Sequence, residues 1–206
     1  MSYDVIGAMA RSYLEFPVQP VLADRVVCTW IDRRNGLHPV LPDACIDLVW
    51  DGEQLGVAGP DTRAWDVDAT KTYVCIRFRP GAAPGVLGVP ASELVDQDIA
   101  LADIWGAASE GARRPACGGR TRGCAADHAS GAGAYLADAS PVDAVVGAVL
   151  RQALSANLSN AAVVQRIAAR TGLSPRSLHR RCMVAFGYGP KTLDRRAIWR
   201  PRDRSS

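Results

Sequence analysis

The sequence predicts an α+β fold, in which an N-terminal antiparallel β-sheet or small barrel with short helices is followed by a C-terminal all-α helix-turn-helix segment. Three observations predict it. Between Val26 and Arg79, short β-type runs alternate with Gly, Pro and Asp turns. From Ser140 onward the apolar spacing becomes helical. The charge also divides along the chain: residues 1–108 hold 8 Lys and Arg against 15 Asp and Glu, residues 109–150 hold 4 of each, and residues 151–206 hold 12 against 2. A net charge of +3 thus conceals an acidic front of −7 and a basic rear of +10, which favours a nucleic-acid module behind a different kind of domain.

The β-type runs are Val26 to Trp30, Pro39 to Leu41, Cys45 to Trp50, Leu55 to Ala58, Arg63 to Val67 and Thr72 to Arg79. In the last of these, strict alternation puts Val74, Ile76 and Phe78 on one face and Tyr73, Cys75, Arg77 and Arg79 on the other. Asp43 and Asp47 lie on or beside a neighbouring run. Two orientations of the polar face stay open. Turned inward, it offers Arg77 to an anionic effector; turned outward, it carries solvated charges and cross-strand ion pairs, the commoner arrangement in half-solvated antiparallel sheets. After Pro80 the pattern shifts to short helical pieces, clearest at Ala91 to Val95 and Leu101 to Trp105. A longer helix is expected from Ser140 as cap and Pro141 as first residue, with Val142, Val145, Val146, Val149 and Leu150 as its stripe.

Next come two helices around a tight turn. Val164, Ile167 and Ala168 form one apolar stripe, and Gly172 supplies the residue that can close that helix in the left-handed conformation. Ser174 can then cap a second helix, Pro175 fits its first position, and Leu173 and Leu178 flank the cap as a hydrophobic staple. Leu178, Cys182 and Phe186 would face the first helix. Arg176, His179, Arg180 and Ser177 are left on the open side as candidate DNA contacts, where arginine can bond guanine O6 and N7 or a phosphate. An ordinary helical hairpin with a solvated basic face shares this pattern, and the basic rear of the chain favours the DNA reader.

Residues 163–193, ending in FGYGPKTL, resemble the first helix-turn-helix of AraC-type transcriptional regulators, in which a G-x-x-P-K-like element follows the recognition helix. The N-terminal half is similar to the sensor-like domain of one branch of that family, through LADRVVCTW (22–30), HPVLPDACIDLVWD (38–51), GPDTRAW (59–65) and VCIRFRPGAAPGVLGVPASEL (74–94). The resemblance implies a regulator that binds double-stranded DNA sequence-specifically. Arg176, His179 and Arg180 fall where the family reads bases, while Arg181, Lys191, Arg195 and Arg196 would be available to phosphates. One reading helix buries little surface, so dimerisation through the N-terminal domain, or a partner, is expected to complete a specific complex, and a small-molecule effector is a further expected partner.

Two departures accompany the match. Family members continue past KTL into a linker helix and a second helix-turn-helix, whereas this chain runs KTLDRRAIWRPRDRSS, so a truncated regulator is expected. Residues 109–134, SEGARRPACGGRTRGCAADHASGAGA, show neither helical nor strand period and read either as a flexible linker or as frame-shifted GC-rich coding sequence. The expected organisation is therefore a β-rich sensor-like and dimerisation domain over 1–108, a linker over 109–137, a helical DNA-binding domain over 138–194 and a basic tail over 195–206.

Other classes find less support. The six cysteines lack a secretory signal and read as reduced thiols. Cys117, Cys124 and His128 match no common zinc spacing, and no paired C-x-x-C suggests a zinc-dependent alkyl-transfer repair domain. A metal enzyme on a cupin-like barrel would need a histidine cluster, yet only His38 lies in the β region, and no G-x-S-x-G elbow or phosphate-binding glycine loop is present. No catalytic residue, metal or cofactor is expected. No window reaches the length of a membrane span, and a cytoplasmic location is expected. The competing reading is a degenerate regulator whose N-terminal domain binds a small molecule or a relative without reading DNA.

Overall fold

The computed structural model describes residues 13–33, 36–68, 70–111, 136, 139–155 and 161–195. The linker positions from residue 112 to 135, with Cys117, Cys124 and His128, and the tail from residue 196 lie outside them. The described part is an N-terminal antiparallel sheet followed by helices, an α+β arrangement.

The sheet is built from β1 (Tyr13–Phe16), β2 (Val26–Asp32), β4 (Asp47–Trp50), β5 (Leu55–Ala58), β7 (Tyr73–Phe78) and β8 (Asp98–Ala100), in the order β1-β2-β7-β4-β5-β8. Every neighbouring pair is antiparallel. Strands β3 (Leu37–Val40) and β6 (Trp65–Asp68) pair separately as a two-stranded ribbon. Strands β1 and β8 carry no signal in the sequence. YLEF and DIA are too short to show a period, and both become strands only through pairing with distant residues, β1 with β2 and β8 with β5.

Alternation along β7 works as the sequence requires. Val74, Ile76 and Phe78 are buried, and Ile76 and Phe78 join Val26, Leu48 and Val57 in the main core. That core is closed by α1 (Ala83–Leu87), by a 3-10 turn at Ala91–Glu93 and by α2 (Leu101–Trp105), which contribute Leu87, Ala91 and Leu101. The helix expected over Ala91 to Val95 is therefore only a 3-10 turn. The chain reverses at Asp96, whose φ is +55°, and the Asp96 carboxylate accepts from the Thr62 backbone N–H at 2.6 Å and the Thr62 hydroxyl at 2.5 Å. Those bonds hold the reversal in place and end any helical continuation.

The C-terminal helices are α3 (Ala144–Ser155), α4 (Ala161–Arg170), α5 (Pro175–Phe186) and α6 (Pro190–Arg195). Helix α3 starts later than Ser140 and Pro141 suggested. Asp143 takes the capping place, its Oδ1 accepting from the Val145 N–H at 2.7 Å, while Ser140 and Pro141 run alongside α1. Gly85 permits that approach, since a Cβ there would lie 2.8 Å from the Ser140 carbonyl oxygen. Val146 and Val149 are buried as the stripe predicts, whereas Val142 precedes the helix and is exposed. No helix among the described residues is long and apolar enough to cross a membrane.

The helical core contains Val149, Ile167, Ala168, Leu178, Cys182, Phe186 and Leu193 together with Ala44, and Val95 packs against it. Ala44 and Val95 come from the sheet half. Sheet and helices therefore share one apolar junction.

Candidate nucleic-acid interface

The turn between α4 and α5 closes as its residues dictate. Gly172 adopts φ +68°, the Leu173 N–H bonds the Ala168 carbonyl at 2.9 Å, and Ser174 accepts from the Ser177 N–H at 3.1 Å with Pro175 at the first helical position. The Ser177 hydroxyl lies 3.0 Å from that of Ser174, so Ser177 belongs to the cap as well as to the helix surface. Helix α5 buries Leu178, Cys182, Ala185 and Phe186, and burial pushes the Cys182 thiol up to about 12. Such a thiol stays protonated and behaves as a small hydrophobe.

Arg176, His179 and Arg180 are exposed and lie three and four positions apart, on one face of α5. His179 crosses the turn after the helix, where a Cβ on Gly189 would come 2.6 Å from its Nε2. Arg181 lines a cleft together with Arg180 and there forms an ion pair with the Asp143 carboxylate that begins α3. Lys191 is exposed on α6. The structure thus gathers Arg176, His179 and Arg180 on one face, places Ser177 in the cap and commits Arg181 to α3. The side chains of Arg195 and Arg196 fall outside the described residues.

The far end of α5 is seated on the sheet half. Gly187, at φ +75°, closes the helix against Val95, Pro60 and Ala91: an added Cβ would meet their atoms at 2.6, 3.0 and 3.1 Å. Tyr188 follows, buried, and its hydroxyl donates to the Asp61 carbonyl at 2.5 Å. Periodicity along α5 could not reveal this socket, because its walls come from residues separated by about a hundred positions; the only trace was the paired glycines of FGYG.

Arg77 occupies a second polar site. Its Nε and Nη2 donate to Asp47 at 3.0 and 2.7 Å, its Nη1 lies 3.3 Å from Asp43, and its guanidinium sits 5.7 Å from the centre of the Trp30 ring. The Trp30 Nε1 in turn donates to Asp47 at 3.2 Å, and the Tyr13 ring lies 5.5 Å from that of Trp30. Burial alone would push the Arg77 guanidinium down, but the Asp47 and Asp43 charges outweigh it and hold it well above its ordinary value. The cross-strand ion pair of the outward reading is present, in register between Asp47 and Arg77, but it is buried rather than solvated: the Arg77 side chain is 13% exposed and that of Asp47 9%. Cys28, Cys45 and Cys75 are buried free thiols around it, with Cys28 pushed up to about 12 by burial. An anionic effector at Arg77 would have to displace two carboxylates already in place, a costly exchange in a desolvated site.

The sheet half has a recognised sequence counterpart. Residues 14–100 match a family model described as a domain of unknown function, DUF6597. The matched segment begins in β1 and ends with β8, so it coincides with the six-stranded sheet, and α3 to α6 lie beyond it. No curated protein and no solved structure matches the chain.

Proposed function

We propose that this protein is a sequence-specific DNA-binding transcriptional regulator of the AraC type, which lays helix Pro175–Phe186 in the major groove. One observation carries the reading: a capped helix pair presents Arg176, His179 and Arg180 together on the exposed face of α5, in the segment of the chain where the charge is +10. Arg176 and Arg180 supply donors to guanine edges or phosphates, and Lys191 reaches the backbone. A single reading module covers only about 600–1,000 Å² of protein surface, so two copies or a partner are needed for a tight specific complex. The sheet half is the sensor and dimerisation part, without catalytic machinery. The location is cytoplasmic.

The test is a salt-titrated binding curve on the duplex upstream of the protein's own gene, beside a scrambled duplex and an Arg176→Ala, Arg180→Ala variant. A working reader prefers the native duplex at physiological salt, and each lost base contact weakens it by roughly 5- to 150-fold, the equivalent of about 1–3 kcal/mol. Equal, steeply salt-dependent binding to both duplexes, unchanged in the variant, would leave only non-specific attraction to a basic surface and would favour a sequestering or dimerisation module.

A further inference from the structure

We propose that Arg77 is a positioning residue, which holds the Asp43–Ala44–Cys45 turn against the helical core and thereby couples the polar face of the sheet to the orientation of helix α5. The regulatory consequence rests on the DNA-reading proposal above; the mechanical coupling does not.

Three adjacent residues make the connection. Asp43 reaches toward the sheet, with one carboxylate oxygen 3.3 Å from Arg77 Nη1 and the other accepting the Cys45 N–H at 2.9 Å. Ala44 faces the opposite way. It is 3% exposed and belongs to the cluster formed by Val146, Leu178, Cys182, Phe186 and Tyr188. Cys45 returns the chain to the sheet, and the Ile46 carbonyl accepts the Phe78 N–H at 3.0 Å. A single peptide bond therefore separates a side chain bound to Arg77 from a methyl group packed among the α5 anchors.

Backbone strain marks the same place. Ala44 has φ +60°, a conformation that a residue with a Cβ holds only where its surroundings over-determine it. The Asp43 bonds fix the turn from one side and the helical core fixes it from the other. Releasing either side lets the turn relax and loosens the seat of α5. Anything that draws Asp43 away from Arg77, or Arg77 away from Asp43, reaches the reading helix by this route, a coupling through one strained turn.

Hydrogen exchange on the full chain tests the coupling without DNA. The variants are Asp43→Asn and Arg77→Met, with Val57→Ala as a control that lowers stability from the main core without touching the turn. Coupling predicts that amides of residues 178–188 exchange roughly tenfold faster in Asp43→Asn and Arg77→Met than in Val57→Ala when the three are compared at equal distance below their melting temperatures. If the ion-pair variants fold poorly, Ala44→Gly relieves the strained φ and removes only the methyl contact, and it should loosen the same amides with the sheet intact. Wild-type exchange in α5, or equal loosening by Val57→Ala, overturns the proposal. Duplex discrimination measured on the same samples separates the two ideas, because loosened α5 amides in a chain that never discriminates duplexes would sink the DNA reading and keep the coupling.

Discussion

Gly172 and Gly187 close the two helices of the α4–α5 pair in nearly the same conformation, with φ +68° and +75°, but their surroundings differ. A Cβ at Gly172 would meet nothing within 4 Å, whereas one at Gly187 would lie 2.6 Å from Val95 Cγ2 and 3.1 Å from the Ala91 carbonyl oxygen. Replacement by alanine therefore separates backbone strain from the cost of pushing α5 off the sheet. Gly172→Ala should cost about 1–2 kcal/mol for the left-handed backbone alone. Gly187→Ala should carry the same strain plus about 1–3 kcal/mol of overpacking, because the Val95 Cγ2 at 2.6 Å already fills the space a Cβ needs and is backed by Pro60 and the Ala91 carbonyl. For a chain of this length each kcal/mol moves Tm by about 2–4 °C, so urea and thermal unfolding both resolve the difference. Adding Val95→Ala to Gly187→Ala should return part of the excess and leave the Gly172→Ala loss unchanged. Equal losses at the two glycines, with no rescue by Val95→Ala, would show that the end of α5 is not seated on Pro60, Ala91 and Val95, and the argument for a shared junction would fail with it.

Two further outcomes follow from the electrostatics. Desolvation, with the Asp51 charge adding to it, raises the Asp98 carboxyl above its ordinary 3.8 even though the residue is exposed on the edge strand, so a small contribution to stability is present below that value and is lost as pH rises through the folded-state value. Asp98→Asn should accordingly raise Tm slightly at pH 7 and do nothing favourable at pH 3; an unchanged Tm difference across that range would discount the shift. Arg181→Ala removes the contact to Asp143, but the two side chains are 43% and 40% exposed, so the loss should stay below about 1 kcal/mol and shrink in high salt. A larger, salt-insensitive loss measured by urea unfolding would mean that the pair does more than tie α5 to the start of α3.

Much of this molecule was legible in local pattern. The Ser174–Pro175 cap, the Leu178, Cys182 and Phe186 stripe and the alternation through Phe78 all follow from side-chain spacing and from which residues can satisfy a helix end. Leu55 to Ala58 and Leu101 to Trp105 stand where the sequence puts them. Other features had no local signal. Strands β1 and β8 are short segments recruited by distant partners, and α3 starts after Asp143 because Ser140 packs against Gly85 instead of opening the helix. The orientation of Arg77 was open for a similar reason, since alternation sets which face a residue takes but not what covers that face.

By itself, the sequence determined most of the strands between Val26 and Phe78, the turn at Gly172 that stops one helix and starts the next, and which arginines share a face, because these depend on interactions within a few residues. Only the tertiary structure decided that Arg77 is buried between Asp43 and Asp47, that Arg181 answers Asp143, and that Gly187 and Tyr188 are held by Val95, Ala91 and Asp61. Those contacts join positions tens to more than a hundred residues apart. No spacing rule reaches that far; whether two such groups meet depends on how the whole chain buries its apolar faces.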